Sequence, residues 1–477
     1  MEGLRRRQLR SIDVLATAVA ATKPAVTSLI APIVVVSYVG PGAWLSIVVA
    51  TLVALLLRSV IAEFTARVAT AGSLYTFVVR ALGAWPGLVT ATAMLTAYAL
   101  AAGYALTSVG LVIRAMTTQP GPVPTAYWAA DVWVVAVVGV CCALVLLRRV
   151  TTFTTMTLAF EAVGLAVAAG LVVAVLHRGG DLAAAVSLTG AEPGKVLGGA
   201  TIMLALLVGF EIPASYGAEA ARPFKSVPMA MRASLLVAGA LTLVTTIAVA
   251  ADPTVWLAGF PASVRVENLW FPGGDTLYVW LIRVARALCL TAAALAFWSA
   301  VARLSFVLAL EGALPRWLAR TDDADSGPKT AVLCSAPFVA GPGLILVATD
   351  DRIRHVLASL VDATGLLMMI AYLLVCVAVP VFLDRIGELS LRPLLTSAAT
   401  GVLMLIAMAS NLNWMHERGS VTLVVIVAGA VLPVATLWYG ALRRQHPGVF
   451  ERMGLHDQTI ADDTLHPAKG LDPDISG

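Results

Sequence analysis

From residue 14 to residue 441 the chain is an almost unbroken series of long apolar runs, and no other feature constrains its fold as much. Twelve can be marked off, at 14–39, 43–64, 84–113, 127–147, 153–176, 197–219, 230–250, 277–307, 330–348, 355–383, 392–411 and 419–441. A hydrocarbon layer about 30 Å thick takes roughly 20 apolar residues in a helix, so runs of this length suit a crossing. The strands of a membrane barrel would alternate apolar and polar residues over about ten positions; these runs do not. With 59% hydrophobic and only 13% charged residues, against about a quarter charged in soluble domains, the expectation is an all-α membrane protein with twelve transmembrane helices.

Lys and Arg in the connections set the orientation. With the N-terminus inside, 21 of them fall on the inner side, among them Arg5, Arg6, Arg7, Arg10, Arg67, Arg222 and Arg303, against seven outside. Both termini are therefore expected in the cytoplasm and the protein in the cell (inner) membrane. The arginines ahead of VLATAVAA resemble a signal peptide, but its removal would put the basic loops outside, so residues 14–39 are kept as a span. The net charge of +4 is dispersed over short loops and calls for no nucleic-acid partner. All five cysteines lie in apolar runs without C-x-x-C spacing, which reads as buried, inert thiols. Residues 1–12 are expected to form a cytoplasmic N-terminus, 13–383 a ten-helix core, 384–441 helices 11 and 12, and 442–477 a cytoplasmic tail, disordered after residue 454. The connection 252–276 carries Trp256, Phe260, Trp270 and Phe271, which favour the membrane interface, and is a candidate cover for an outer vestibule.

Two runs are not plain spans. Lys23 and Pro24 interrupt LATAVAATKPAVTSLIAP, and Gly209, Glu211 and Pro213 interrupt GGATIMLALLVGFEIPASYGAEA. Proline lacks an N–H and clashes with the preceding turn, so each helix is expected to break. Free backbone groups at membrane depth are tolerated only against protein or a cavity, so both breaks should face inward. They fall in the first and sixth spans, the first of each five-helix half. Such a pair marks an inverted-repeat carrier with its binding site where the breaks meet. The expected architecture is a 5+5 inverted repeat with discontinuous helices 1 and 6.

Four segments, in order, resemble the amino acid–polyamine–organocation permeases. VGFEIPASYGAEAARPFKSVPMAM is similar to the sixth-span signature, RVATAGSLYTFVVRALG to the loop between spans two and three, ARLSFVLALEGALPRWLAR to the loop after span eight, and VDATGLLMMIAYLLVCV to the tenth span. The resemblance covers residues 13 to 441 and implies a LeuT-like fold. There are departures. Most members carry a Gly-Ser-Gly type run in the first span, whose bare amides bind a substrate carboxylate, where this chain has Pro24, Ala25 and Val26; a bacterial subgroup with a proline-containing first span looks closer. Ala218 replaces the first of the usual acid pair, leaving Glu219, and Glu311 stands where Asp is commoner.

Charged groups deep in a bilayer are costly and are usually functional or paired. Lys23, Glu161 and Glu211 are the deepest, with Glu63 and Asp362 nearer span ends. Glu211 follows the sixth-span break; it can bind a substrate ammonium or carry the coupled proton, or simply close the gap between half-helices. The resemblance implies gating or substrate contact there. It also sets Glu161 near spans one and eight, where an acid can carry a proton. Lys23 can pair with either acid, meet an anionic group of a substrate, or hold the broken helices in register. The expected substrate site comprises Lys23, Pro24, Ala25, Val26, Thr27, Gly209, Phe210, Glu211, Ser215, Tyr104 and Trp298; Tyr98 and Tyr216 lie nearby. Proton coupling is assigned to Glu161 and Glu211. Glu219 with Arg67 or Arg222 is a candidate cytoplasmic gate, against simple capping. For the aromatic residues, packing is the commoner explanation.

HRGGD, at 177–181, matches a short acyltransferase-like pattern that arises by chance. Neither G-x-S-x-G, H-E-x-x-H nor a Walker-type run occurs, so neither enzymatic activity nor direct use of ATP is expected, and no metal site or cofactor. The sequence points to a secondary transporter of an amino acid or small amine by alternating access, proton-coupled in preference to sodium-coupled, with an amino acid or amine exchanger as the alternative and a channel or solute sensor behind it. Its partners are the substrate and the lipid bilayer, and the protein is a monomer or homodimer.

Overall fold

The computed structural model describes residues 9–117, 128–177, 181–251, 276–321, 327–349, 353–417 and 421–454. The aromatic connection 252–275, the glycines of HRGGD and the tail from residue 455 lie outside the described residues. The helices are α1 (Ser11–Thr22), α2 (Pro24–Val39), α3 (Ala43–Thr65), α4 (Leu74–Leu82), α5 (Ala84–Thr117), α6 (Trp128–Leu146), α7 (Val150–His177), α8 (Leu182–Ala185), α9 (Pro193–Leu206), α10 (Pro223–Ala251), α11 (Thr276–Leu310), α12 (Lys329–Thr349), α13 (Ile353–Arg385), α14 (Leu391–Glu417) and α15 (Val421–Gln445). No strand occurs among the described residues; a single parallel bridge joins Leu9 to Ala220.

Among the described residues, nine helices are long and apolar enough to cross a membrane, counting α1 and α2 as one, and Val132–Leu146 and Pro193–Leu206 are shorter apolar helices. These helices are apolar nearly all round, which suits either a buried core or a lipid surround. Burial separates the two roles. The most apolar stretch of α1–α2 is 83% buried and that of α11 89%, whereas those of α14 and α15 are each 22% buried. The first pair and α11 therefore form the centre, packed by α5, α7 and α10. On the periphery, Leu405, Ile426 and Leu437 are exposed, as apolar side chains facing lipid would be. Close backbone approach is bought with small residues: a Cβ on Gly103 of α5 would lie 2.8 Å from the carbonyl of Val339 in α12.

Four details differ from the sequence reading. The amphipathic helix α4 occupies part of the loop expected between spans two and three. Arg303, counted with the inner-side cations although it falls in the run 277–307, is 2% exposed; α11 runs on to Leu310 and carries it inside the bundle. Cys141 is exposed and Cys334 half-buried, so burial holds only for Cys142, Cys289 and Cys376. Finally, α15 runs on to Gln445 and a short 3-10 turn follows at Pro447–Val449, with Val449 and Met453 buried against the bundle.

Candidate functional site

Helix α1 stops at Thr22 and α2 restarts at Pro24, separated by Lys23 in the left-handed conformation (φ 45°, ψ 53°). A residue with a Cβ is strained there, by about 1–2 kcal/mol. Proline is well placed to restart the helix, because the first helical position needs no N–H and wants its fixed φ. Pro32, further on, stays inside α2. In the sixth run, α9 stops at Leu206, the chain turns through Gly209 (φ 112°), and a 3-10 turn follows at Ile212–Tyr216. Both expected interruptions are therefore present, and both are inside the protein.

The interruptions touch. A Cβ on Gly209 would fall 2.8 Å from the Ala21 carbonyl oxygen and 3.0 Å from the ring of Phe297, so only glycine allows this approach. Lys23 Nζ donates to the Leu206 carbonyl at 3.1 Å, one of the acceptors left unpaired where α9 ends.

Beside this junction is a cavity with about 550 Å³ of empty space, part of it open to solvent. Lys23, Val26 and Thr27 line it from the first interruption, Tyr104 from α5, Phe297 from α11 and Thr364 from α13. Among the described residues, Lys23 is the one charged member of the lining, with its Nζ 5.3 Å from the centroid of the Phe297 ring. Asp362, next in sequence to the lining Val361, is buried.

Glu211 does not line this cavity. It accepts hydrogen bonds from Tyr98 Oη at 2.9 Å, Tyr372 Oη at 2.8 Å and the Gly209 amide at 3.1 Å, which pins the turn between α5 and α13. Phe210 packs on Tyr372, centroids 5.8 Å apart, and Ser215 donates to the Ile212 carbonyl at 2.7 Å. Glu161 on α7 is fully buried, and neither carboxylate oxygen has a well-formed hydrogen bond. Ala25, in the first turn of α2, and Cys289 of α11 are its neighbours, brought close because Gly164 leaves no Cβ between them: one there would meet Cys289 Sγ at 2.2 Å and Ala25 Cβ at 2.7 Å. The Cys289 thiol itself donates to the Phe160 carbonyl at 3.4 Å. The Lys23 charge is attracted by Glu161 and Glu211, but neither acid comes within the 4 Å of an ion pair.

At the end of the bundle that carries both Leu9 and Gly454, Glu219 is paired with Arg303 rather than with Arg67 or the exposed Arg222. The guanidinium donates to both carboxylate oxygens and lies 3.7 Å from the Tyr216 ring centroid, whose hydroxyl is 2.7 Å from Ser299 Oγ. The Leu9 amide donates to the Glu219 carbonyl at 3.0 Å and the Ala221 amide to the Leu9 carbonyl at 2.9 Å, so the N-terminal segment straps this seal. Arg67 instead joins Glu63 and Glu388, each at 2.8 Å. Nearby, Tyr75 donates to Glu311 at 2.5 Å and the Gly454 amide does so at 2.8 Å, while Arg80 donates to the Gly454 carbonyl at 2.8 Å. Burial first, and the Glu311 carboxylate second, push the Tyr75 phenol well above its usual range, so it remains a donor.

The structure thus brings Lys23, Val26, Thr27 and Tyr104 to one cavity and leaves Pro24, Ala25, Gly209, Phe210, Glu211, Ser215 and Trp298 of the expected substrate site, and Glu161, outside its lining. Trp298 Nε1 is committed to Ser335 Oγ at 2.9 Å and the Val332 carbonyl at 3.2 Å, joining α11 to α12. Among the described residues, no three His, Cys, Asp or Glu side chains gather as a metal site requires. Sequence reasoning missed Phe297, Tyr372 and Arg303. Arg303 alone carried a signal, as a cation in an apolar run.

No curated protein matches the chain. The family model described as amino acid permease matches residues 12–436, most of the chain and nearly all of its apolar part. The chain therefore belongs to the amino acid permease family of the amino acid–polyamine–organocation superfamily, and is a multi-pass membrane protein.

Proposed function

We propose that the protein is a secondary active transporter of an amino acid or small amine, working by alternating access and coupled to protons. One observation carries this reading: two interrupted helices meet, buried, beside a partly open cavity, with Lys23 reaching from one interruption to the Leu206 carbonyl of the other. An interrupted helix costs backbone hydrogen bonds, and carriers put that cost where a solute binds. The reading includes a ten-helix, 5+5 inverted-repeat core of LeuT-like type over residues 13–383, helices 11 and 12 beyond it, and both termini in the cytoplasm.

In this scheme the cavity is the substrate site, and the Glu219–Arg303 seal is the cytoplasmic gate. Glu161 is the stronger candidate for the coupled proton. Its oxygens have no hydrogen-bond donor, so gaining a proton displaces none, whereas protonating Glu211 would weaken it as the acceptor for three donors. Counterflow in proteoliposomes tests the proposal. External substrate should drive accumulation of labelled substrate against internal unlabelled substrate, and Glu161→Gln should flatten the pH dependence of uptake. Gradient dissipation without counterflow would make the protein a channel, and no flux at all a sensor.

A further inference from the structure

We infer that Arg10 on the N-terminal strap and Arg222 and Lys225 on the turn beside it bind the phosphate of an anionic lipid headgroup, which holds the strap over the Glu219–Arg303 seal. This goes beyond the transport reading and does not depend on it. The strap is a backbone bridge, with Leu9 paired in parallel to Ala220 through the bonds of Leu9 to the Glu219 carbonyl and the Ala221 amide. Chains paired in this way lie about 4.8 Å apart. Arg10, next after Leu9, and Arg222, two places after Ala220, therefore start from neighbouring backbone. The Lys225 amide donates to the Arg222 carbonyl at 3.2 Å, which brings a third cation within one turn.

The protein does not balance this charge itself. Arg222 and Lys225 are exposed, and among the described residues neither forms an ion pair. The segments that meet here, 9–22, 150–157 and 216–234, contain two acids, Asp13 and Glu219, and both are committed. Asp13 accepts from the Arg10 amide at 2.9 Å and the Thr154 hydroxyl at 3.2 Å, and Glu219 pairs with Arg303. Arg10 meets Asp13 only through Nε at 3.6 Å, with its side chain 81% exposed, so its terminal nitrogens are left to bond outward. Phosphate oxygens suit this set: guanidinium grips them in two-pronged fashion and ammonium adds a point charge. The apolar neighbours favour a lipid over a dissolved anion. Ile12, Phe224 and Met229 are exposed and interleave with the cations along the chain. Basic side chains set among exposed apolar ones at the end of a span lay their stems on acyl chains and their charges among headgroups. A headgroup held from both backbones of the bridge favours the form in which the bridge is made.

The test uses the purified full chain in nanodiscs of phosphatidylcholine alone or of phosphatidylcholine mixed with phosphatidylglycerol, and reads hydrogen–deuterium exchange, independently of transport. Each cation held at an anionic surface is worth roughly a fivefold factor. Phosphatidylglycerol should therefore slow exchange of the peptides covering 9–14 and 216–224 by about tenfold or more. The segment 450–454, at the same end of the bundle but held by Glu311 and Arg80, should exchange alike in both lipids. Replacing the exposed pair, Arg222→Gln with Lys225→Gln, should remove the lipid effect while leaving Arg5, Arg6 and Arg7 in place. An unchanged rate at the strap in phosphatidylglycerol overturns the inference, as does equal slowing at 450–454 or a lipid effect that persists in the double variant. Inorganic phosphate that slows the strap in phosphatidylcholine to the same degree would assign the site to a dissolved anion instead. The chain's own acidic segment 455–477 is checked by replacing its five aspartates with asparagine. This should leave the lipid effect intact, and faster exchange at the strap in phosphatidylcholine would make that segment the partner and overturn the lipid assignment.

Discussion

Replacing Arg303 by alanine should open the sealed end of the bundle. The pair with Glu219 is almost dry, with side chains 3% and 6% exposed, and the guanidinium is stacked on Tyr216. Removing one member of such a pair strands the other charge in a poorly hydrated site, at a cost of about 3–5 kcal/mol. Opening lets water reach Glu219, so most of that cost falls on the closed form. The closed-to-open ratio should then fall by roughly 10²–10³-fold. Hydrogen–deuterium exchange reads this directly, because the Leu9 and Ala221 amides are protected by bonds across the seal. In Arg303→Ala the peptides covering 9–14 and 216–224 should exchange faster by about that factor. Arg303→Lys, which keeps the charge but loses the two-pronged contact and the stacking, should fall between. A double variant with Glu219→Gln should recover much of the protection, since no bare charge remains. Wild-type exchange in a folded Arg303→Ala protein would refute the reasoning.

Further outcomes follow from the same geometry. Gly209→Ala should lower the melting temperature, by about 2–4 kcal/mol of stability, because its Cβ meets the Ala21 carbonyl and Phe297 at a positive φ; an unchanged melt would show that the junction is loose. Tyr75→Phe leaves buried Glu311 one donor short and should cost about 1–3 kcal/mol, seen in the melt, with faster exchange at residues 450–454, which the same carboxylate holds. If Glu161 carries the proton, Glu161→Gln should give uptake that no longer varies with external pH; a wild-type pH profile would clear it of that role.

How much was legible depended on the range of the signal. Apolar length is local, and the helices fall where the runs do. Backbone chemistry is local too: Lys23–Pro24 and Gly209–Pro213 announced their breaks, since proline at a helix start and glycine at positive φ act within a turn. Partner choice was not legible. Glu219 was matched with Arg67 or Arg222 because those are close in sequence or assigned to the same side, but the chain folds Arg303, 84 positions away, onto it. Trp298 sits one place beyond the lining Phe297 on α11, and a helix turns about 100° per residue; this moves it from the cavity to the α12 interface. For Glu211 the sequence left substrate contact, proton transfer and closing the gap between half-helices all open, and only Tyr98 and Tyr372, from distant segments, show it as a clamp.

The central claim is that solute binds where the two interruptions meet. It is tested most directly by a single cysteine at Ala205, a small lining residue, in a chain whose five native cysteines are replaced. A small water-soluble thiol reagent should label this cysteine, and a saturating solute that demonstrably binds the variant should slow the labelling at least about tenfold, as occupancy excludes the reagent. Labelling that proceeds at the same rate with the solute bound would place the binding site elsewhere and contradict the account.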